Sequence, residues 1–373
     1  MGSSDSEAPS DLTSTVVRGV SFAAGGYIVT QAVNLGFYVA LARLLEPADF
    51  GEFAAATVLV GFTLLLTESG MASAVIQRRD RVDEAASTAV AATFVSGIVF
   101  SLLALATAPL VGAFFDDSTV TALAAASAGT VFFRTFGSIP DALLQRRFSF
   151  LRRLVIEPAG VLAFGIAAVI AASKDMGPWS LVIGQYVGFG VDLLLGWALV
   201  RWRPRLSQMS FSMWRELVGF GRHVLVATAL LQAGNQASTL IVGRALGTGP
   251  LGQYRYAIRL AATPFQVLLA GAAYVLFPAF SRIATEAARL ERAFLRALRW
   301  TCVLAFPAGM VFVPLGVPLA VVVFGETWRP AGEALWRCAC FPRAACSRRS
   351  ARRRSRPWAG PSCSPGCMPQ RRS

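Results

Sequence analysis

The chain has 373 residues, of which 55% are hydrophobic and 15% charged. A soluble chain carries about a quarter charged residues. Here the charges cluster between long apolar runs, which excludes one large soluble core and predicts an all-α polytopic membrane protein. The net charge of +14 does not point to nucleic acid: ten arginines and no other charged residue fall in residues 337–373, and removing them leaves +4.

Residues 1–18 are polar, with Asp5, Glu7 and Asp11, and lack the basic start and short apolar core of a cleaved signal. The first helix is therefore expected to stay in the membrane. Runs of about 18 or more apolar residues mark the spans. They are expected at about 19–42, 50–71, 86–115, 119–140, 156–173, 178–200, 221–246, 256–280 and 298–324. The fourth contains Arg134 and the sixth Asp192. Pro264, Pro307 and Pro314 interrupt the last two, as bend points or as static kinks.

The chain repeats itself at an offset of 201 residues. Gln31, Asn34, Arg43, Leu45 and Gly51 return as Gln232, Asn235, Arg244, Leu246 and Gly252. Internal repeats organise whole folds. This offset covers six spans, so both copies enter the membrane from the same side. The expected architecture is two parallel pseudo-symmetric helical bundles: residues 19–205 with six helices, then residues 206–336 with three, a truncated second bundle. Arg43 and Arg244 close the equivalent helices, each before a turn containing Gly or Pro, a structural place at a helix C-terminus.

Loop charge gives the orientation. Loops after even-numbered spans hold about three to five Lys or Arg, which puts them and the N-terminus in the cytoplasm. From Arg337 the composition turns to Arg, Ser, Pro, Cys and Ala. That tail, 337–373, is expected to be a frameshifted reading or a disordered basic segment that binds anionic lipid. It holds five of the six cysteines, but the loose spacing of Cys338, Cys340, Cys363 and Cys367 and the absence of a nearby His argue against zinc. Cys302 alone lies in the membrane body.

Several motifs stand in a fixed order: Ala42-Arg43-Leu44-Leu45 through Phe50-Gly51-Glu52-Phe53; Gly70 to Gln77; Ala142 to Phe150; Ile241 to Gly247 through Leu251-Gly252-Gln253-Tyr254; Phe277 to Arg282; and Phe324 to Trp328. Over about 16–336 the chain thereby resembles the polysaccharide exporters and lipid-linked oligosaccharide flippases of the multidrug/oligosaccharidyl-lipid/polysaccharide superfamily, most of all the lipopolysaccharide or O-antigen type. The resemblance implies two six-helix bundles around a cavity in a bacterial inner membrane, and no cofactor. It also implies an undecaprenyl-diphosphate-linked glycan as substrate, with polymerase and glycosyltransferases of the same pathway as partners. Two departures stand out: the second bundle stops after three helices, and Ser238 stands where an acidic residue is expected.

A diphosphate calls for the planar donor fork of arginine, and charge inside a membrane is costly enough to suggest function. Arg134 is therefore the candidate cavity cation; the other reading is a packing partner for Asp192, or a side chain that snorkels. Gln31 and Asn34 share one face of the first helix, as Gln232 and Asn235 do in the seventh. They either line a polar cavity or hydrogen-bond neighbouring helices. Arg18, Arg222 and His223 stand at the cytoplasmic ends of these helices, as phosphate contacts or as ordinary anchors. No nucleophile and base, Walker loop or paired-His motif is present, and Asp116-Asp117 lacks the second acidic motif of a metal-dependent glycosyltransferase. Transport is expected and catalysis is not; the rivals are a drug or cation antiporter of the same superfamily and a non-transporting remnant or assembly subunit.

Overall fold

The computed structural model describes residues 9–62, 71–78, 80–146, 150–200, 202–205, 209–262 and 287–339. The helices are α1 (Pro9–Leu44), α2 (Pro47–Ala56), α3 (Met71–Gln77), α4 (Val82–Phe115), α5 (Ser118–Arg146), α6 (Phe150–Ala172), α7 (Trp179–Val200), α8 (Phe211–Leu246), α9 (Ala287–Phe324) and α10 (Arg329–Ala339). Residues 58–62 and 248–262 are also helical. Among the described residues, α4, α5, residues 155–172 of α6 and α7 are each long and apolar enough to cross a membrane. The pair formed by α1 and α2, bent by 117°, makes a fifth. The protein is an all-helical, multi-pass membrane protein. Its outer surface fits that reading, with Val95, Leu102, Leu110 and Leu194 exposed where a soluble protein would place polar groups.

The expected spans lie inside longer helices. α5 and α6 run past the expected ends at 140 and 156, and α9 absorbs most of the basic segment before the ninth span. The change of composition at Arg337 does not end a helix either, because α10 continues through Ala339. Parts of the second and eighth spans, and residues 340–373 of the tail, lie outside the described residues.

Asp116 and Asp117, weighed above as a metal-binding pair, are helix punctuation. Asp116 ends α4 at φ 61°, a left-handed conformation that Asp tolerates. The Asp117 carboxylate accepts the Thr119 N–H at 2.8 Å and caps α5. At the opposite end the Arg146 guanidinium donates to the Ile76 carbonyl at 3.1 Å and to the Arg78 carbonyl, satisfying acceptors left open where α3 stops.

The two copies of the repeat meet at the Asp116 end. A Cβ on Gly51 would overlap the Thr248 carbonyl, and a Cβ on Gly252 would overlap the Pro47 carbonyl. Positions 47 and 51 correspond to 248 and 252 in the repeat, so the contact is reciprocal. Around this crossing Leu41, Phe50, Tyr256, Leu260, Phe324 and Trp328 form one buried cluster. Trp328, fully buried, donates its indole N–H to the Ala42 carbonyl at 2.9 Å.

The Arg78 end is joined differently. Residues on either side of 206–208 contact α4: Trp202 Nε1 donates to Asp83 at 3.1 Å, and the Ser210 N–H to the Thr88 hydroxyl at 3.2 Å. Met213 and Leu217 of α8 then bury against Ile139, Leu143 and Leu144. Arg78 pairs with Glu216 at 2.9 Å.

Candidate functional site

Between these ends lies a cavity walled mainly by α1, α5, α6 and α7. One chamber, of about 370 Å³, is lined by Arg134 and Asp141 of α5, Glu157 of α6, and Phe189 and Asp192 of α7. A second, of about 290 Å³, shares Arg134, Glu157, Phe189 and Asp192 and adds Asn34, Tyr38 and Gln185. The shared residues make the two chambers one continuous site.

Arg134 holds the centre. It lies near the middle of α5, about 18 Å from the Arg146 end at 1.5 Å per residue. Its side chain is exposed to the void, and its guanidinium stands 5.4 Å from the centre of the Phe189 ring, within cation–π reach. Asp192 faces it from α7, with Glu157 and Asp141 as its other charged neighbours. Gly160 makes that position accessible, because a Cβ there would overlap the Asp192 carboxylate. The Oδ1 of Asp192 and the Oε1 of Gln185 are buried without a hydrogen-bond partner. Such acceptors are costly to leave empty, and both belong to residues lining the second chamber.

Tyr38 closes the chamber toward the repeat crossing. Its ring lies 3.5 Å from the Arg259 guanidinium carbon, and its carbonyl accepts the Tyr256 hydroxyl at 3.1 Å. Both partners come from the helical stretch 248–262, so the second copy of the repeat covers the cavity built by the first.

The expected site residues divide. Arg134, Asp192 and Asn34 come together in the cavity. Gln31, half-buried, lies one turn before Asn34 on α1. On the α8 side, a Cβ on Gly61 would meet the Gln236 amide and lie 3.7 Å from the Nε2 of Gln232, the counterpart of Gln31, so Gln232 and Gln236 are set against the second span. That is the interhelical arrangement weighed above. The side chains of Arg18, Arg222, His223 and Asn235 lie outside the described residues.

The charge at the cavity goes beyond Arg134 and Asp192. Asp141, Glu157 and Asp192 all line the chamber with Arg134. Asp141 escapes notice because the apolar run of the fourth span ends at 140, whereas α5 continues to Arg146. Glu157 stands inside the expected fifth span, one residue from its edge, where a charge reads as an interfacial anchor.

A profile described as polysaccharide biosynthesis protein matches residues 40–333. The chain belongs to that family. Among its relatives, the succinoglycan biosynthesis transport protein ExoT of Rhizobium meliloti (strain 1021) is 27% identical over 88% of this chain and 66% of its own length. The lipopolysaccharide biosynthesis protein WzxC of Escherichia coli (strain K12) is 24% identical over 85% of this chain and 65% of its own. The chain thus spans just under two thirds of the length of these family members. In fold it is similar to the lipid II flippase MurJ in an inward closed conformation, with a TM-score of 0.68 and 12% identity over 85% of this chain and 70% of that one. It is also similar to an inward-facing multidrug resistance MATE family transporter of the MOP superfamily, with a TM-score of 0.64 and 16% identity over 82% and 75% of the two chains. The resemblance seen in the motifs is therefore shown at the level of family and fold.

Proposed function

We propose that this chain is a flippase-like transporter. It moves an undecaprenyl-diphosphate-linked oligosaccharide across the bacterial cytoplasmic membrane for lipopolysaccharide, O-antigen or exopolysaccharide synthesis, by alternating access. The observation that carries the reading is the mid-helix Arg134 facing a polar cavity, in a member of a polysaccharide biosynthesis family. In the empty cavity Asp192 is the charge opposite Arg134. A phosphate group takes over the guanidinium by displacing that carboxylate, and the sugars occupy the wet chamber with Gln185 and Asn34. The bundles of residues 19–205 and 206–336 rock about the repeat axis, with the N-terminus in the cytoplasm. Polymerase and glycosyltransferases of the same pathway act before and after it.

The test is complementation of a strain that lacks its own flippase. Arg134→Gln is expected to lose roughly ten- to a hundredfold in surface polysaccharide, the range of one hydrogen-bonded charge contact. Arg134→Lys is expected to recover only part of that loss, because a point charge lacks the fork. Export undiminished in Arg134→Gln sinks the reading.

A drug or cation antiporter of the same superfamily is the second reading, and one observation favours it: three carboxylates line the chamber against one guanidinium. Asp192→Asn distinguishes the two. Removing this competitor is expected to spare or raise glycan export, whereas a cation carrier loses its transport.

A further inference from the structure

The cavity has a dry neighbour. Between α1 and α6 runs a groove of about 460 Å³, formed by Gly25, Gly26, Val29 and Val33 on one side and by Pro158 and Val161 on the other. Its lining is almost wholly apolar. The hydroxyl of Thr30, which also lines it, is already bonded to the Gly26 carbonyl at 2.8 Å. The groove opens sideways to the bilayer: Val29 is 63% exposed and Leu162 43%. Gly25 to Val33 covers about 12 Å of helix.

Two further observations say what the groove is for. Val161 lines both the groove and the Arg134 cavity, so the dry slot ends against the charged chamber. Among the described residues no atom lies within 4 Å of where a Gly25 Cβ would stand, so a side chain there grows into open space on the groove wall. A dry slot that opens to hydrocarbon at its side and ends at a guanidinium matches one kind of molecule: a single-chain amphiphile with an anionic head.

We propose that this α1–α6 groove holds the isoprenoid chain of the lipid-linked substrate while its phosphate lies at Arg134. This rests on the function proposed above and adds the tail site to it. The chain remains in hydrocarbon throughout, so only the head crosses the membrane.

The test uses the purified full chain in detergent and compares undecaprenyl phosphate, geranyl phosphate and inorganic phosphate by native mass spectrometry. The wild-type chain is expected to bind undecaprenyl phosphate at least about tenfold tighter than geranyl phosphate, through the closer packing of the longer chain against the groove walls. Gly25→Phe, a residue with open space to grow into, is expected to abolish that preference and leave geranyl phosphate binding unchanged. Gly25→Ala, which barely fills the groove, is expected to keep it and shows that the fold tolerates a side chain there. Arg134→Gln is expected to weaken both lipid phosphates alike. Undiminished chain-length preference in Gly25→Phe overturns the tail site. So does displacement of undecaprenyl phosphate by equimolar dioleoylphosphatidylcholine, which makes the groove an ordinary lipid contact. If Gly25→Phe removes the preference while Arg134→Gln changes nothing, the tail site stands and the phosphate reading falls.

Discussion

The two ends of the molecule join the two copies of the repeat by opposite means. At the Asp116 end the contact is dry: the Gly51 and Gly252 backbones cross, and a buried aromatic cluster surrounds them. At the Arg78 end it is partly wet, made of linker hydrogen bonds and the Arg78–Glu216 pair, whose Glu216 side chain is 59% exposed. Shape complementarity of the first kind fails abruptly when a methyl group is added. Charge pairing of the second kind weakens gradually with salt and acid. A molecule joined at one end by fit and at the other by charge has two contacts that can be altered separately.

The difference can be broken most strongly at the glycines. Gly51→Ala and Gly252→Ala each drive a methyl group into a backbone carbonyl and are expected to cost about 1–3 kcal/mol at that end. The two substitutions are symmetry-related, so their effects should match, and the double variant should cost less than their sum once the crossing has parted. Spin-label distances across the Asp116 end check this; an unchanged distance in both variants breaks the comparison.

A similar loss, more local, is expected from Trp328→Phe. It removes the indole N–H from the Ala42 carbonyl and leaves a buried acceptor empty, at about 1–3 kcal/mol. Thermal unfolding in detergent measures it, and the Arg78 end should be untouched.

Arg78→Gln and Glu216→Gln sharpen the contrast with smaller effects. Each is expected to raise cysteine labelling of the Arg78 end modestly, and equally at low and high salt, whereas the wild type opens as salt rises. The charge-exchanged double variant, Arg78→Glu with Glu216→Arg, is expected to recover the pair.

The smallest effect is a pH dependence. The hydrogen bond from Arg78 holds the Glu216 carboxyl below its ordinary value. A depressed carboxylate contributes fully above the ordinary Glu range and loses its contribution as pH falls through the lowered value. Acidification should therefore loosen the Arg78 end and leave the Asp116 end closed. Hydrogen exchange at α3 and at the start of α8 reads this; equal loosening at both ends would falsify it.

Much of the fold was legible from the residues alone. Apolar runs located the spans because a membrane leaves no other partner for the backbone than its own helix. The repeat located the two equivalent turns, since Gly51 and Gly252 stand in one ungapped register. Asp192 and Arg134 were legible as candidates because charge is rare in such runs. What the sequence did not contain was which of these meet. Hydropathy has no direction around a helix, so it did not show that Asn34 of the first helix lines the cavity while Gln232 of the seventh, the counterpart of Gln31, stands beside Gly61. It also ended the fourth span at 140, one residue short of Asp141, and gave no sign that Glu157, at the edge of the fifth, lines the same chamber. The sequence by itself determined a helical membrane protein with a doubled design. Only tertiary structure decided that the doubled glycines lie against each other's carbonyls, and that Arg134 stands beside a dry groove, because both depend on the rotation and spacing of helices that no single stretch of chain specifies.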